Sequence, residues 1–174
     1  MSSLKSQLSK QTQTGLLTAF NLFFSIYNFT KLHLLNAFVY FDFLITGLET
    51  CVNLRSIYLQ QNGIQIIEGL DTLIHLKTIN LSQNRIIKIE GLSKLINLET
   101  LNLSKNSISG DNCMTHLLEC PSITNLDVTS NELEDPNILQ DILAKMPVLS
   151  CVYLKGNGMV SKFKSERCSA KCSL

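Results

Sequence analysis

Three side chains that favour soft metals, Cys113, His116 and Cys120, fall together in a C-x2-H-x3-C arrangement. On one helical face that spacing could grip zinc, but a structural zinc site takes four ligands, and only three are offered here. Cys120 also occupies a position that the surrounding sequence reserves for leucine, so this cluster is read as small apolar core. The other histidines, His33 and His75, have no carboxylate or nucleophile at a useful spacing. No glycine-rich phosphate loop occurs, and no paired carboxylates stand apart from the solvated faces. No catalytic, metal-binding or cofactor-binding residue is nominated, and the expected activity is not that of an enzyme.

The residues with a regular chemical task are asparagines. Asn62, Asn84 and Asn106 recur every 22 residues, Asn131 follows after 25 and Asn157 after 26. An asparagine amide donates and accepts at once, so it can satisfy backbone groups that a turn would leave buried and unpaired. Each sits in one frame of apolar positions, L-x-x-L-x-x-L-x-x-L-x-L-x-x-N-x-I-x-x-I-x-G. The second copy shows it best: Leu70, Leu73, Leu76, Ile79, Leu81, Asn84, Ile86, Ile89, Gly91. Self-similarity at this period marks a solenoid of leucine-rich repeats, in which no single coil buries its own apolar side. The asparagine ladder is therefore structural, and an Asn→Ala change in it should cost about 1–3 kcal/mol.

The fold expected is α/β: an arc of about five repeats with a concave parallel sheet, preceded by an apolar N-terminal cap. The L-x-L cores, Ile57–Leu59, Ile79–Leu81, Leu101–Leu103, Leu126–Val128 and Val152–Leu154, should be short strands. In the two longer repeats, Asp111 and Asp135-Pro136 look like helix starts, with Pro121 and Pro147 as stops, which predicts true helices there. Between the strand leucines, side chains should face the trough in columns. The central one is Tyr58, Asn80, Asn102, Asp127 and Tyr153, flanked by Ser56, Thr78, Thr100, Asn125, Cys151 and by Gln60, Ser82, Ser104, Thr129, Lys155. That face is polar, nearly uncharged and ends on tyrosines, which are favoured anchors at protein interfaces. The central column is the expected protein-binding site.

Composition narrows the partners. The 174 residues hold 15 basic and 14 acidic side chains, a net charge of +1 that suggests neither nucleic acid nor an acidic membrane. RNA is further disfavoured by the lack of a basic stripe or stacking row. Of six cysteines, Cys51 and Cys120 take leucine positions, and buried reduced thiols favour a cytoplasmic compartment. Residues 16–47 are rich in phenylalanine, yet Lys31 and His33 divide them below the roughly 20 apolar residues of a spanning helix. They are read as a cap holding a degenerate first repeat, because Ile45 and Gly47 match Ile67 and Gly69. Residues 1–15 are read as a flexible N-terminus, 48–160 as the repeat domain and 161–174 as a basic disordered tail.

The I-x-x-I-E-G-L form of the repeat, at Ile64–Leu70 and Ile86–Leu92, resembles the subclass shared by intracellular scaffolds. Leu54–Ile64 and the segment Asn131–Leu139, continuing through Met146–Leu149 to Leu154–Asn157, resemble more closely the axonemal dynein assembly factors with leucine-rich repeats. The expansion around Asp135-Pro136 is the most specific element, and the resemblance spans about residues 45–160. It implies a cytoplasmic, cilium- or flagellum-related scaffold for preassembling dynein arms, with dynein chains, chaperones or other assembly factors as partners. The rival readings are a regulatory subunit of protein phosphatase 1, another intracellular repeat adaptor, or a membrane-anchored repeat protein. After Asn157 that group continues with a proline and a capping motif. Here Gly158-Met159 follows instead, so the protein looks truncated and its last repeat is expected to be uncapped and sticky.

Overall fold

The computed structural model describes residues 34–36, 48–49 and 51–163. Six three-residue strands form one parallel sheet in sequence order: β1 (Leu34–Asn36), β2 (Ser56–Tyr58), β3 (Thr78–Asn80), β4 (Thr100–Asn102), β5 (Asn125–Asp127) and β6 (Cys151–Tyr153). The register is unbroken, with Leu35, Ile57, Ile79, Leu101, Leu126 and Val152 opposite one another. The strands are centred on the first apolar residue of each L-x-L pair, one residue earlier than the sequence suggested. β1 lies one repeat before the first complete frame, which gives backbone evidence for a sixth coil. The other residues of the proposed cap, Ile45 and Gly47 among them, lie outside the described residues, as do residues 1–15.

The apolar frame explains why the outer side is not helical in the short repeats. Its inward residues recur every three positions, a period that an α-helix of 3.6 residues per turn cannot hold on one face. Each inward residue instead donates its N–H to the carbonyl of the inward residue three before it. Leu73 bonds Leu70 and Leu76 bonds Leu73, both at 2.9 Å, and Leu95 and Leu98 repeat this at 2.9 and 3.0 Å. A succession of single turns results, each placing one leucine in the core. Leu70, Leu73, Leu76, Ile79 and Leu81 are all completely buried.

The longer repeats follow the same arithmetic. The 25-residue repeat adds one more triplet, Met114 ahead of Leu117 and Cys120, and forms a 3₁₀ turn at Thr115–Glu119. The 26-residue repeat adds four residues, and the four-residue step from Ile138 to Ile142 forms one α-helical turn, α1 (Ile138–Asp141). The triplet spacing then resumes at Leu143, Met146 and Leu149 through a second 3₁₀ turn at Leu143–Lys145. The expectation of true helices is thus corrected to one α turn and two 3₁₀ turns. The capping role of the aspartates is corrected too. Asp135 Oδ1 accepts the Asn137 N–H at 2.9 Å, an Asx turn, while neither Met114 nor Asn137 caps through its side-chain atoms.

Helix α2 (Gly158–Phe163) continues past residue 160, so the boundary set for the tail moves. Met159 takes the place of Ile64, Ile86 and Ile108 and is fully buried. In earlier coils the N–H at this place donates to the next asparagine, but Met159 donates to Leu133 O at 2.8 Å. The ladder of asparagine acceptors therefore ends at Asn157, and β6 is the last strand of the sheet among the described residues. Residues 164–174 lie outside the described residues.

Candidate functional site

The trough is built from the pleat. In β2, β3 and β4 the middle residue is buried and its two neighbours are half-buried, so Ser56 and Tyr58, Thr78 and Asn80, Thr100 and Asn102 line the concave side. Register aligns Tyr58, Asn80, Asn102, Asp127 and Tyr153 in one row across successive strands. All five predicted residues are thus brought together, at the inter-strand spacing of about 4.8 Å.

Three of them have a second task that the sequence reading missed. Asn80 Oδ1 accepts the Ser82 N–H at 3.0 Å, Asn102 Oδ1 that of Ser104 at 2.9 Å, and Asp127 Oδ1 that of Thr129 at 2.9 Å. One oxygen of each therefore closes the turn leaving its strand. The spacing signal was available: Asn or Asp two residues before Ser or Thr, just past a strand, is an Asx turn. Among the described residues, the Nδ2 groups of Asn80 and Asn102 have no internal acceptor. The face offers two adjacent amide donors followed by the second oxygen of Asp127. Tyr153 closes the row at 48% exposure. A hydrogen bond with Cys151 first, and the nearby Asp127 charge in smaller part, raise its phenol above the ordinary tyrosine range. It stays a neutral donor at physiological pH. At the other end, the Gln60 Oε1 is buried and has no partner among the described residues.

The ladder asparagines sit behind this face, and four of the five are fully buried. Asn84 Oδ1 accepts the N–H groups of Asn62 and Ile64 at 3.1 and 3.2 Å. Its Nδ2 donates to Leu59 O of the preceding coil and to Leu81 O of its own, both at 2.9 Å. Asn106, Asn131 and Asn157 repeat the bridge onto Ile86, Ile108 and Leu133. Asn62 donates to Leu59 O at 2.9 Å and Gln60 O at 3.2 Å.

The Cys113–His116–Cys120 cluster has other work. His116 Nε2 accepts the Leu92 N–H at 2.9 Å, which leaves its Nδ1 hydrogen for Glu119 at 3.4 Å. This ties one coil to the previous one. Burial pushes the Cys120 thiol up to about 11, with Glu119 adding to it. Burial likewise raises Cys113. Both thiols therefore ionise less readily than an ordinary cysteine. No group of three or more metal-binding side chains occurs among the described residues. Among the described residues, Cys113, Cys120 and Cys151 form no disulfide. Among the described residues no helix is long and apolar enough to cross a membrane.

Comparison with known proteins agrees with the geometry. Residues 52–94 and 74–111 match the family described as Leucine Rich repeats (2 copies). A 54-residue stretch is 52% identical to leucine-rich repeat-containing protein ODA7 of Chlamydomonas reinhardtii, covering 31% of this chain and 12% of that protein. Among solved structures, an internalin (inlF) of Listeria monocytogenes superposes with a TM-score of 0.57 at 23% identity, over 65% of this chain and 32% of that one. The functional domain of InlJ from the same species gives 0.56 at 16%, over 75% and 31%. A repeat protein of Leptospira interrogans gives 0.55 at 21%, over 64% and 28%. These structures share the fold, and the protein described here spans about a third or less of each.

Proposed function

We propose that this leucine-rich repeat solenoid is a non-catalytic scaffold that captures a protein partner in its concave trough. The observation that carries this is the central row itself. A rigid parallel ribbon holds Tyr58 and Tyr153 at its ends and fixed amide donors between them. Tyrosine gives large contact area at low entropic cost, and preset donors lose little freedom on binding. Repeat arcs commonly bind along such a surface. The working unit is residues 48–160, with the preceding apolar segment as its cap.

The partner proposed is one met in cytoplasmic preassembly of axonemal dynein arms: a dynein subunit, a chaperone or another assembly factor. Support comes from the resemblance at Leu54–Ile64 and around Asp135-Pro136, and from the 52% identity to ODA7 over 54 residues. Cytoplasm and cilium are the places this reading assigns. Affinity capture from ciliated cells, with bound proteins identified by mass spectrometry, tests it. Recovery of dynein subunits or their assembly factors is expected. Recovery of a phosphatase catalytic subunit in their place would overturn the dynein reading while leaving the scaffold intact.

A further inference from the structure

Two ladder asparagines are followed by glycine, Asn62-Gly63 and Asn157-Gly158. In this dipeptide the following amide nitrogen reaches the asparagine Cγ with least hindrance, because glycine carries no Cβ. The fold treats the two differently. Asn157 is 5% exposed, and its amide is held by Leu133 N–H at 3.2 Å, Val128 O at 2.9 Å and Leu154 O at 2.8 Å. Gly158 opens α2, and the Glu134 carboxylate fills the place where a Cβ would stand.

Asn62 is half-buried, and nothing lies within 4 Å of where a Cβ on Gly63 would be. In three later coils the amide after the asparagine donates back one coil: Arg85 to Ile64 O at 2.9 Å, and Ser107 to Ile86 O and Glu132 to Ile108 O, both at 3.0 Å. For Gly63 the corresponding carbonyl belongs to the coil before it, which lies outside the described residues. We propose that Asn62 is a site of spontaneous deamidation selected by the fold, and that Asn157 is protected.

The step is closed in atoms. The Gly63 nitrogen bonds to Asn62 Cγ, and Nδ2 leaves as ammonia, the Gly63 N–H proton going with it. The cyclic imide is then opened by solvent water. Breaking the Cγ–N bond gives aspartate, and breaking the original peptide C–N bond gives isoaspartate, whose backbone runs through Cγ. One water is consumed, one ammonia is released, and no oxidant or reductant takes part.

Either product puts a carboxylate oxygen where Nδ2 donated to Leu59 O and Gln60 O, so two attractive contacts become repulsive. The isoaspartyl form also lengthens the backbone between Asn62 N and Ile64 N, which both donate to Asn84 Oδ1. The coil bearing Tyr58 loosens. On the protein-binding reading above, this is an ageing switch at one end of the trough.

The test incubates the full-length protein in mildly alkaline buffer, folded and in urea, and maps both peptides by mass spectrometry with isoaspartate detection. When folded, Asn62 should convert while Asn157 stays an amide; in urea both should convert at similar rates. Gly63→Ala should suppress conversion at Asn62 and leave Tm unchanged. Equal conversion of both sites in the folded protein, conversion at Asn157 alone, or conversion at neither would each overturn the proposal. The readout is chemical, so it stands apart from any result on partner binding.

Discussion

Replacing Asn106 with alanine isolates what the ladder contributes. Asn106 Oδ1 accepts the Ile86 N–H at 3.0 Å, and its Nδ2 donates to Leu81 O at 3.0 Å and Leu103 O at 2.9 Å. Nδ2 also reaches Ser104 O at 3.4 Å, and these partners would not suffer equally. Leu81 O keeps the Asn84 amide and Leu103 O keeps that of Asn131, each at 2.9 Å. The Ile86 N–H is left buried with no acceptor, so one orphaned donor dominates and the loss should be about 2 kcal/mol. For a protein of this length that lowers Tm by about 4–8 °C. Asn106→Asp should cost more than alanine, because a carboxylate oxygen would face two carbonyls at hydrogen-bond distance. Asn102→Ala is the control: it frees the Ser104 N–H on a half-buried face where water replaces the lost acceptor, at about 0.5 kcal/mol. Urea unfolding followed by circular dichroism ranks the three. If Asn102→Ala proved as costly as Asn106→Ala, the ladder would not be the element that joins the coils.

Tyr58→Ala with Tyr153→Ala should weaken partner capture at least tenfold, about 1.4 kcal/mol, with Tm nearly unchanged; calorimetry on the captured partner reads the first and thermal melting the second. Gly91→Ala should cost about 3 kcal/mol or more, because φ is +69° and a Cβ would clash with Ile67 O; denaturant midpoints check this. Cys120 supplies a pH test. Its folded thiol lies near 11, above the ordinary 9.0, so the unfolded state ionises first. Stability is full below about pH 9 and falls as pH rises towards 11, and Cys120→Ala should remove that part of the fall.

The sheet and its core were readable because one apolar frame recurs with an asparagine at a fixed place. That repetition over-determines the register, and Ile57, Ile79, Leu101, Leu126 and Val152 fall opposite one another as expected. The outer turns were misread because Asp135-Pro136 is a good helix start locally. Yet the inward spacing of three at Leu143, Met146 and Leu149 leaves a helix only the single four-residue step before it. The core role of Met159 was missed because a methionine stands where the frame usually has isoleucine. At the site, alternation along a strand placed the row from Tyr58 to Tyr153, but the turn-closing bonds of Asn80, Asn102 and Asp127 were not foreseen. Those bonds depend on backbone direction after each strand, which composition alone does not reveal.

The protein also carries an exposed apolar line elsewhere, with Val52, Ile74 and Ile96 at matching places of successive coils. Hydroxyl-radical footprinting of the partner-bound protein therefore decides between faces in one experiment. Oxidation should fall at Tyr58 and Tyr153 and stay unchanged at Ile74 and Ile96. Protection of the isoleucines with both tyrosines still reactive would place the partner on the other side of the arc and contradict the trough as the binding face.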